Sequence, residues 1–202
     1  MPGDIRRMNK PAIMNNYKDL LKFYPDFPEK GVNFVDIFPL IRDKETFRRL
    51  TADLGSLCAS PTIAAPEARG FLFGTPMLIA CPGIESFVPL RKKGKLPFSE
   101  GDLVAVDIIK EYGKDQVFYR LSDLAAGKPD GDCLPVTLFD DVLATGGTAR
   151  GIAESMNRQT VTVDGKTYRV RITDFVFLIE IDGLAGRDLL NGIAPVKSLI
   201  HL

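Results

Sequence analysis

Apolar residues follow two different patterns along the chain, and stretches of the two kinds alternate. Apolar residues recur at helical spacing within 44–58, and they fall at positions i, i+3, i+4 and i+7 from Ala149 to Met156. Uninterrupted apolar runs bounded by turn residues, typical of strands buried on both faces, lie between such stretches. The pattern predicts helices at 15–24, 44–58, 70–80 and 149–156. It predicts strands at 62–67, 86–90, 136–139 and 174–181.

Two further stretches complete the predicted fold. Residues 160–172 alternate on both sides of Asp164-Gly165, a dipeptide that suits the type I′ turn of a β-hairpin. Residues 92–112 mix lysine, proline and glycine and are interpreted as a loop. Because buried strands alternate with helices, the sequence predicts the α/β class, with a doubly wound parallel sheet and the hairpin as an antiparallel decoration.

Composition and charge exclude several classes of protein. With 202 residues, 45% of them apolar and 26% charged, the chain fits one soluble domain spanning 1–202. Its 26 basic and 26 acidic side chains cancel, so we expect neither nucleic acid nor a membrane as a partner. Three cysteines without metal-ligand spacing and one histidine argue against a zinc site or a disulfide scaffold. We expect a cytoplasmic protein, because no secretory signal or membrane-spanning run is visible.

The segment from Val136 to Gly151 carries the most specific chemistry. Two adjacent acids, Asp140 and Asp141, end a buried strand. A turn that opens a helix follows at Ala144, Thr145, Gly146, Gly147 and Thr148. The N–H groups of such a turn and its threonine hydroxyls suit a phosphate monoester, whereas carboxylates suit vicinal hydroxyls or a hydrated divalent cation. Together they predict a site for ribose 5-phosphate.

A simpler interpretation of this segment is purely structural. Any strand-to-helix turn can carry Gly-Gly, with a threonine capping the helix and aspartates ending the strand. Doubled acids shortly before a Thr-Gly-Gly-Thr turn are much rarer, which favours a binding site. An NTPase phosphate loop is excluded, because the one Gly-Lys-Thr, at 165–167, has Thr160 where the leading glycine should be.

Residues 136–148 resemble the phosphoribosyl pyrophosphate (PRPP) signature of the type I phosphoribosyltransferases. Thr137 departs from that signature, which usually has an aliphatic residue there, and this bears on strand packing rather than chemistry. Four more segments are similar to the adenine phosphoribosyltransferases: YPDFPEKGVNFVDIFPLI (24–41), PEARGFLFG (66–74), FVPLRKKGKLP (87–97) and KEYGKD (110–115). The resemblance covers roughly residues 17–190.

The resemblance implies a reaction and its participants. Adenine phosphoribosyltransferases join adenine N9 to carbon 1 of PRPP, giving AMP and pyrophosphate, with Mg²⁺ held through PRPP and water and no direct protein ligand. The resemblance also implies a sheet of the type I kind, with a small N-terminal hood segment at 1–40 and a flexible lid loop at 92–112. It further implies a homodimer. Glu111 would exchange a proton with the purine, and Tyr112 would help close the lid to exclude water.

The expected pyrophosphate ligands come from two motifs. Glu67, Ala68 and Arg69 match the loop that holds the leaving group, where a guanidinium fits paired oxygens. The run RKKGK concentrates positive charge after a strand, although such clusters are usually solvated loops. With the companion motifs, Arg91 and Lys95 become pyrophosphate ligands that reach their own site or that of a neighbouring subunit.

The expected base site lies in the hood segment. Phe34 matches the aromatic residue that packs on adenine, and the backbone of Asn33 and Val35 would bind the edge of the ring. Val35 stands where a basic residue is common, so base preference depends on whether this position acts through its peptide group or its side chain. Pro66, a longer lid and the 160–170 hairpin are further departures, and none removes a proposed contact.

Two other functions stay open. A 6-oxopurine phosphoribosyltransferase would share the phosphate machinery and differ in the base pocket. A non-catalytic PRPP-sensing regulator would need only the ribose-phosphate cradle, and usually a nucleic-acid module. Glu111, Arg69 and Arg91 are all present and no basic DNA-binding segment is visible, which favours the enzyme.

Overall fold

The computed structural model describes residues 17–109 and 114–202. The chain divides into two compact units, residues 1–44 and 45–202. No helix among the described residues is long and apolar enough to cross a bilayer.

The described part of the first unit is a hairpin followed by a helix. A 3₁₀ turn at Tyr17–Leu20 precedes β1 (Lys22–Pro25), which pairs antiparallel with β2 (Asn33–Asp36). Helix α1 (Phe38–Arg42) begins where the Asp36 carboxylate accepts the N–H of Phe38 at 2.9 Å. The helix predicted at 15–24 is wrong beyond Leu20, because cross-strand pairing overrides the weak local helical pattern.

The second unit is a mixed sheet with helices. Its strands are β3 (Thr62–Pro66), β4 (Ser86–Lys92), β5 (Leu103–Ile109), β6 (Lys114–Arg120), β7 (Cys133–Leu143), β8 (Thr160–Val163), β9 (Lys166–Glu180) and β10 (Val196–His201). Its helices are α2 (Lys44–Leu57), α3 (Arg69–Ala80), α4 (Leu121–Ala125), α5 (Gly147–Met156) and α6 (Gly186–Asn191). The strand order is β10-β9-β7-β3-β4-β6-β5, with β8 added to β9. Strands β10, β9, β7, β3 and β4 run parallel, so the predicted α/β class with a central parallel sheet is confirmed.

The predicted hairpin and the predicted loop have different outcomes. Strands β8 and β9 pair antiparallel around Asp164 and Gly165, whose φ values of 50° and 77° suit the type I′ turn. Residues 103–109 form β5, paired antiparallel with β6, so the loop predicted over 92–112 is wrong for this part. Val106 and Ile108 are buried while Asp107 is exposed, which is the alternation of a half-buried strand.

Thr137 belongs to a buried polar network rather than to the site. Its hydroxyl donates to Asp174 Oδ1 at 2.6 Å and accepts the Ser60 N–H at 3.1 Å. Asp174, on β9, also accepts hydrogen bonds from the Ala59 N–H and from Lys197 Nζ. A polar residue on a central buried strand is tolerated here because its hydroxyl has both a donor and an acceptor partner.

Candidate active site

The turn between β7 and α5 lies at the carboxyl end of the parallel sheet, where open α/β sheets bind ligands. Gly146, directly before the helix, has a φ of 78°, a left-handed conformation that glycine adopts without steric cost. The predicted phosphate ligands from Ala144 to Thr148 all line one pocket of about 110 Å³. The wall of this pocket includes the first turn of α5, whose N–H groups point toward the helix N-terminus. A phosphate group fits such a pocket.

The acidic pair lies in the last residues of β7, directly before this turn. Asp141 is buried and Asp140 half-buried, and the N–H of Asp141 donates to Asp140 Oδ1 at 2.8 Å. Arg69 Nε lies 2.8 Å from Asp141 Oδ2. Burial raises the pKa of Asp140 well above its usual value, and the charge of Asp141 raises it further while Arg69 acts in the opposite direction. Hydroxyl donors or a hydrated cation would stabilise the charged pair.

A second cavity of about 370 Å³ shares Asp140 and Thr148 with the first. The other predicted site residues on its wall are Glu67, Ala68, Arg69 and Asp141. Lys92 and Asp115 also line it, although the sequence assigned neither a role. Lys92 stands inside the run RKKGK, but the run itself does not say which lysine faces the cavity. The end of β4 decides this, because side chains alternate along a strand.

Glu67 and Arg91 bind each other. Arg91 Nε lies 2.5 Å from Glu67 Oε2, and the Lys92 N–H donates to Glu67 Oε1 at 2.6 Å. Burial by itself would raise the pKa of Glu67, but the hydrogen bonds from Lys92 and Arg91 outweigh it, and the pKa is lowered. An ionised carboxylate only accepts hydrogen bonds, so in this geometry Glu67 ties its loop to β4 and offers no donor to a phosphate. The peptide bond between Glu67 and Ala68 is cis.

Of the predicted residues Lys95, Glu111 and Tyr112, the structure describes Lys95. Lys95 is exposed in a turn after β4, where its N–H donates to the Lys92 carbonyl, and it borders neither cavity. Glu111 and Tyr112 fall outside the described residues. Their roles therefore stay predictions.

The first unit has an aromatic pocket of its own, of about 660 Å³. It is lined by Tyr24, Pro25, Asp26, Phe27, Phe34, Asp36 and Phe38. Phe34 packs edge-to-face on Phe27, with ring centroids 5.3 Å apart. Val35 is buried and Asn33 is exposed, and neither lines this pocket. Because side chains alternate along β2, Phe34 and Asp36 face the pocket and Val35 points to the other side.

Three features occur together at the carboxyl end of this sheet: a turn whose pocket fits a phosphate, an acidic pair, and an adjoining cavity lined by Arg69 and Lys92. Their combination is typical of the type I phosphoribosyltransferase class. No family model matches the chain. An adenine phosphoribosyltransferase from Prochlorococcus marinus (strain MIT 9313) is 38% identical over 186 residues, which cover 91% of this chain and 96% of that protein. One from Clostridium perfringens (strain SM101 / Type A) is 37% identical over the same shares of both chains.

Solved structures agree with these sequence relatives. The crystal structure of adenine phosphoribosyltransferase from Thermoanaerobacter pseudethanolicus matches with a TM-score of 0.76 and 33% identity, over 92% of this chain and 98% of that one. The Saccharomyces cerevisiae enzyme, complexed with an imino-altritol bisphosphate and adenine, matches with a TM-score of 0.71 and 31% identity, over 90% and 95%. The chain belongs to the adenine phosphoribosyltransferase family, and the resemblance noted in its sequence is confirmed.

Proposed function

We propose that this chain transfers ribose 5-phosphate from PRPP to N9 of adenine, forming AMP and releasing pyrophosphate. The observation that carries the proposal is the pair of adjoining cavities that share Asp140 and Thr148. The smaller one suits the 5-phosphate, and the larger one, with Arg69 and Lys92, suits the pyrophosphate. The ribose would then lie beside Asp140, where the two cavities meet.

The phosphate and the ribose are bound by different groups. The backbone N–H groups of the turn and the hydroxyls of Thr145 and Thr148 donate to the 5-phosphate. Asp140 and Asp141 accept hydrogen bonds from the 2′- and 3′-hydroxyls of the ribose. Those hydroxyls give the half-buried Asp140 donors that offset the cost of keeping its charge beside that of Asp141.

Arg69 and the backbone at Ala68 bind the pyrophosphate, and Glu67 holds their loop against β4 through Arg91 and Lys92. Asp140 and Asp141 would hold Mg²⁺ through water and together with PRPP, because carboxylates suit a hydrated divalent ion and Arg69 already occupies one oxygen of Asp141. When bound, the ion supplies positive charge that stabilises the leaving pyrophosphate.

Arg91 and Lys95 complete the pyrophosphate site in the same or the partner subunit of a cytoplasmic homodimer. Sedimentation of the purified protein tests the assembly: a dimer is expected, and a monomer that is fully active would contradict it. A monomer would also restrict Arg91 and Lys95 to their own site.

Adenine packs on Phe34, and the peptide groups of Asn33 and Val35 bind the edge of the ring. Since the Val35 side chain points away from the aromatic pocket, its difference from the usual basic residue leaves adenine preference intact.

Glu111 exchanges a proton with the purine as the C1–N9 bond forms, and Tyr112 helps to close the lid over the reacting carbon.

A spectrophotometric assay with PRPP and Mg²⁺ against four bases tests the function. We expect turnover with adenine and little with hypoxanthine, guanine or xanthine. Turnover confined to the oxopurines would favour a 6-oxopurine phosphoribosyltransferase instead. PRPP binding without turnover of any base would favour a PRPP-sensing regulator.

A further inference from the structure

We propose that helix α6 packs against the phosphate-binding turn, residues 144–148, and braces it on the side away from the phosphate. Gly186 and the Glu180–Arg187 ion pair are then positioning residues for PRPP. The inference rests on the proposed function, in which that turn binds the 5-phosphate. Helix α6 (Gly186–Asn191) lies in the segment LAGRDLL, which follows β9 and has no other role in the site.

The backbone of α6 is in direct contact with the turn. A Cβ built on Gly186 would lie 2.2 Å from the carbonyl oxygen of Ala144 and 2.8 Å from Cδ1 of Leu143. A Cβ built on Gly146 would lie 3.0 Å from the carbonyl oxygen of Gly186. Because the nearest atom, the carbonyl oxygen of Ala144, belongs to the backbone, a side chain at Gly186 can be accommodated only by moving α6 or the turn.

Arg187 fixes the position of α6. Its Nε donates to Glu180 Oε1 at 2.7 Å, its Nη2 donates to Glu180 Oε2, and its Nη1 donates to the Val196 carbonyl oxygen at 2.8 Å. The Glu180 carboxylate is buried and also accepts a hydrogen bond from the Ser198 hydroxyl. A bidentate guanidinium–carboxylate pair sets both distance and angle, so it holds the first turn of α6 at one orientation.

Glu180 is the last residue of β9 and lies beside the end of β7, where the phosphate-binding turn begins. It lies opposite Leu143 in the parallel pairing of β7 and β9, and the Ile181 N–H donates to the Leu143 carbonyl at 3.0 Å. Asp182 and His201 approach Glu180 closely enough to suggest a metal cluster, but both Glu180 oxygens already accept from Arg187. Among the described residues, this cluster is therefore an ion-pair network that anchors α6.

The brace acts on phosphate binding and not on the base. Donors that point at a phosphate lose much of their value when they move by a fraction of an ångström. Loss of the brace should therefore weaken binding of ribose 5-phosphate and raise the KM for PRPP, while the KM for adenine stays the same. A purely structural role would lower thermal stability and change both KM values alike.

Two pairs of variants test the brace, with ribose 5-phosphate as the titrant in calorimetry. Gly186→Ala is matched by Gly192→Ala at the other end of α6, where φ is −68° and an added Cβ meets nothing within 4 Å. Arg187→Ala is matched by Lys197→Ala, whose partner Asp174 is a buried carboxylate in the middle of β9. The two ion pairs are similarly buried, with 35% and 5% side-chain exposure for Arg187 and Glu180 against 37% and 1% for Lys197 and Asp174.

We expect Gly186→Ala and Arg187→Ala to raise the Kd for ribose 5-phosphate by about 10-fold or more, and the two controls to change it less than about 2-fold. Arg187→Lys, which keeps the charge but not the bidentate geometry, should have a Kd between those of the wild type and Arg187→Ala. It replaces Gly186→Ala in the test if that variant does not fold. Unchanged Kd values in all three α6 variants, or an equal rise in the KM for adenine, would overturn the brace. If the wild-type protein itself does not bind ribose 5-phosphate, the proposed function fails instead.

Discussion

The phosphate-binding turn and the aromatic pocket of the first unit differ in how their residues are brought together. The turn and the acidic pair occupy 140–148, so one continuous stretch that runs from a buried strand into a helix supplies all of these residues. The aromatic pocket takes its residues from two strands, their connection and a following helix, and only cross-strand pairing brings Tyr24 and Phe34 opposite each other. The candidate phosphate site can therefore be predicted from one stretch of sequence, whereas the aromatic pocket depends on tertiary structure.

The largest effect is expected at Glu111, the residue proposed to exchange a proton with the purine. Glu111→Leu should reduce kcat by about 10²-fold or more while leaving ribose 5-phosphate binding nearly intact, because general acid–base catalysis contributes about 10²- to 10⁴-fold. Steady-state kinetics and calorimetry measure the two effects separately. Glu100→Leu, an exposed glutamate before β5, is the control and should change kcat by less than about 2-fold. Unchanged turnover in Glu111→Leu would remove this residue from the mechanism.

The phosphate side of the comparison is tested by removing the charge of the acidic pair. Replacing Asp140 and Asp141 together with Asn should weaken PRPP binding by about 10- to 100-fold, because hydrogen bonds to charged groups contribute about 1.5–3 kcal/mol. The measurement is a PRPP titration in the presence of Mg²⁺. The matched control replaces Asp130 and Asp132, which are exposed just before β7, with Asn. Equal PRPP affinity in both double variants would contradict the assigned role.

The base side is tested at Phe34. Phe34→Ala should raise the KM for adenine by about 10-fold and leave that for PRPP nearly unchanged, because base–aromatic stacking contributes about 1–3 kcal/mol. Phe23→Ala is the control, since Phe23 is an exposed neighbour on β1 that does not line the pocket. If both variants raise the KM for adenine equally, Phe34 has no special contact with the base.

The smallest functional effect is expected at Thr137, which lies in the same strand as the acidic pair. Thr137→Val should lower the free energy of unfolding by about 1–3 kcal/mol, because it leaves the Ser60 N–H without its acceptor and removes one donor from Asp174. Kinetic constants should stay within about 2-fold. Chemical denaturation measures the stability, with the exposed Thr162→Val as the control. A loss of PRPP affinity without a loss of stability would show that Thr137 serves the site.

The sequence predicted the parts of this molecule that short-range patterns determine. The helix from 149 to 156, the hairpin at Asp164-Gly165 and the buried strand predicted at 174–181, which ends at Glu180 in the structure, all follow from periodicity or turn chemistry. Strand β5 was missed because the lysine, proline and glycine before it dominate the segment, although VAVDII itself alternates. Two features could not be predicted from the sequence: the ion pair of Glu67 with Arg91, and the position of Lys92 on the wall of the cavity. Both depend on the pairing of β3 with β4, which brings together residues 24 or more positions apart.

The most direct test of the whole account is a crystal structure of the protein with AMP bound. We predict the 5-phosphate within hydrogen-bond distance of the N–H groups of residues 145–148 and the two ribose hydroxyls on the carboxylates of Asp140 and Asp141. A nucleotide bound elsewhere, with this turn empty, would contradict the account.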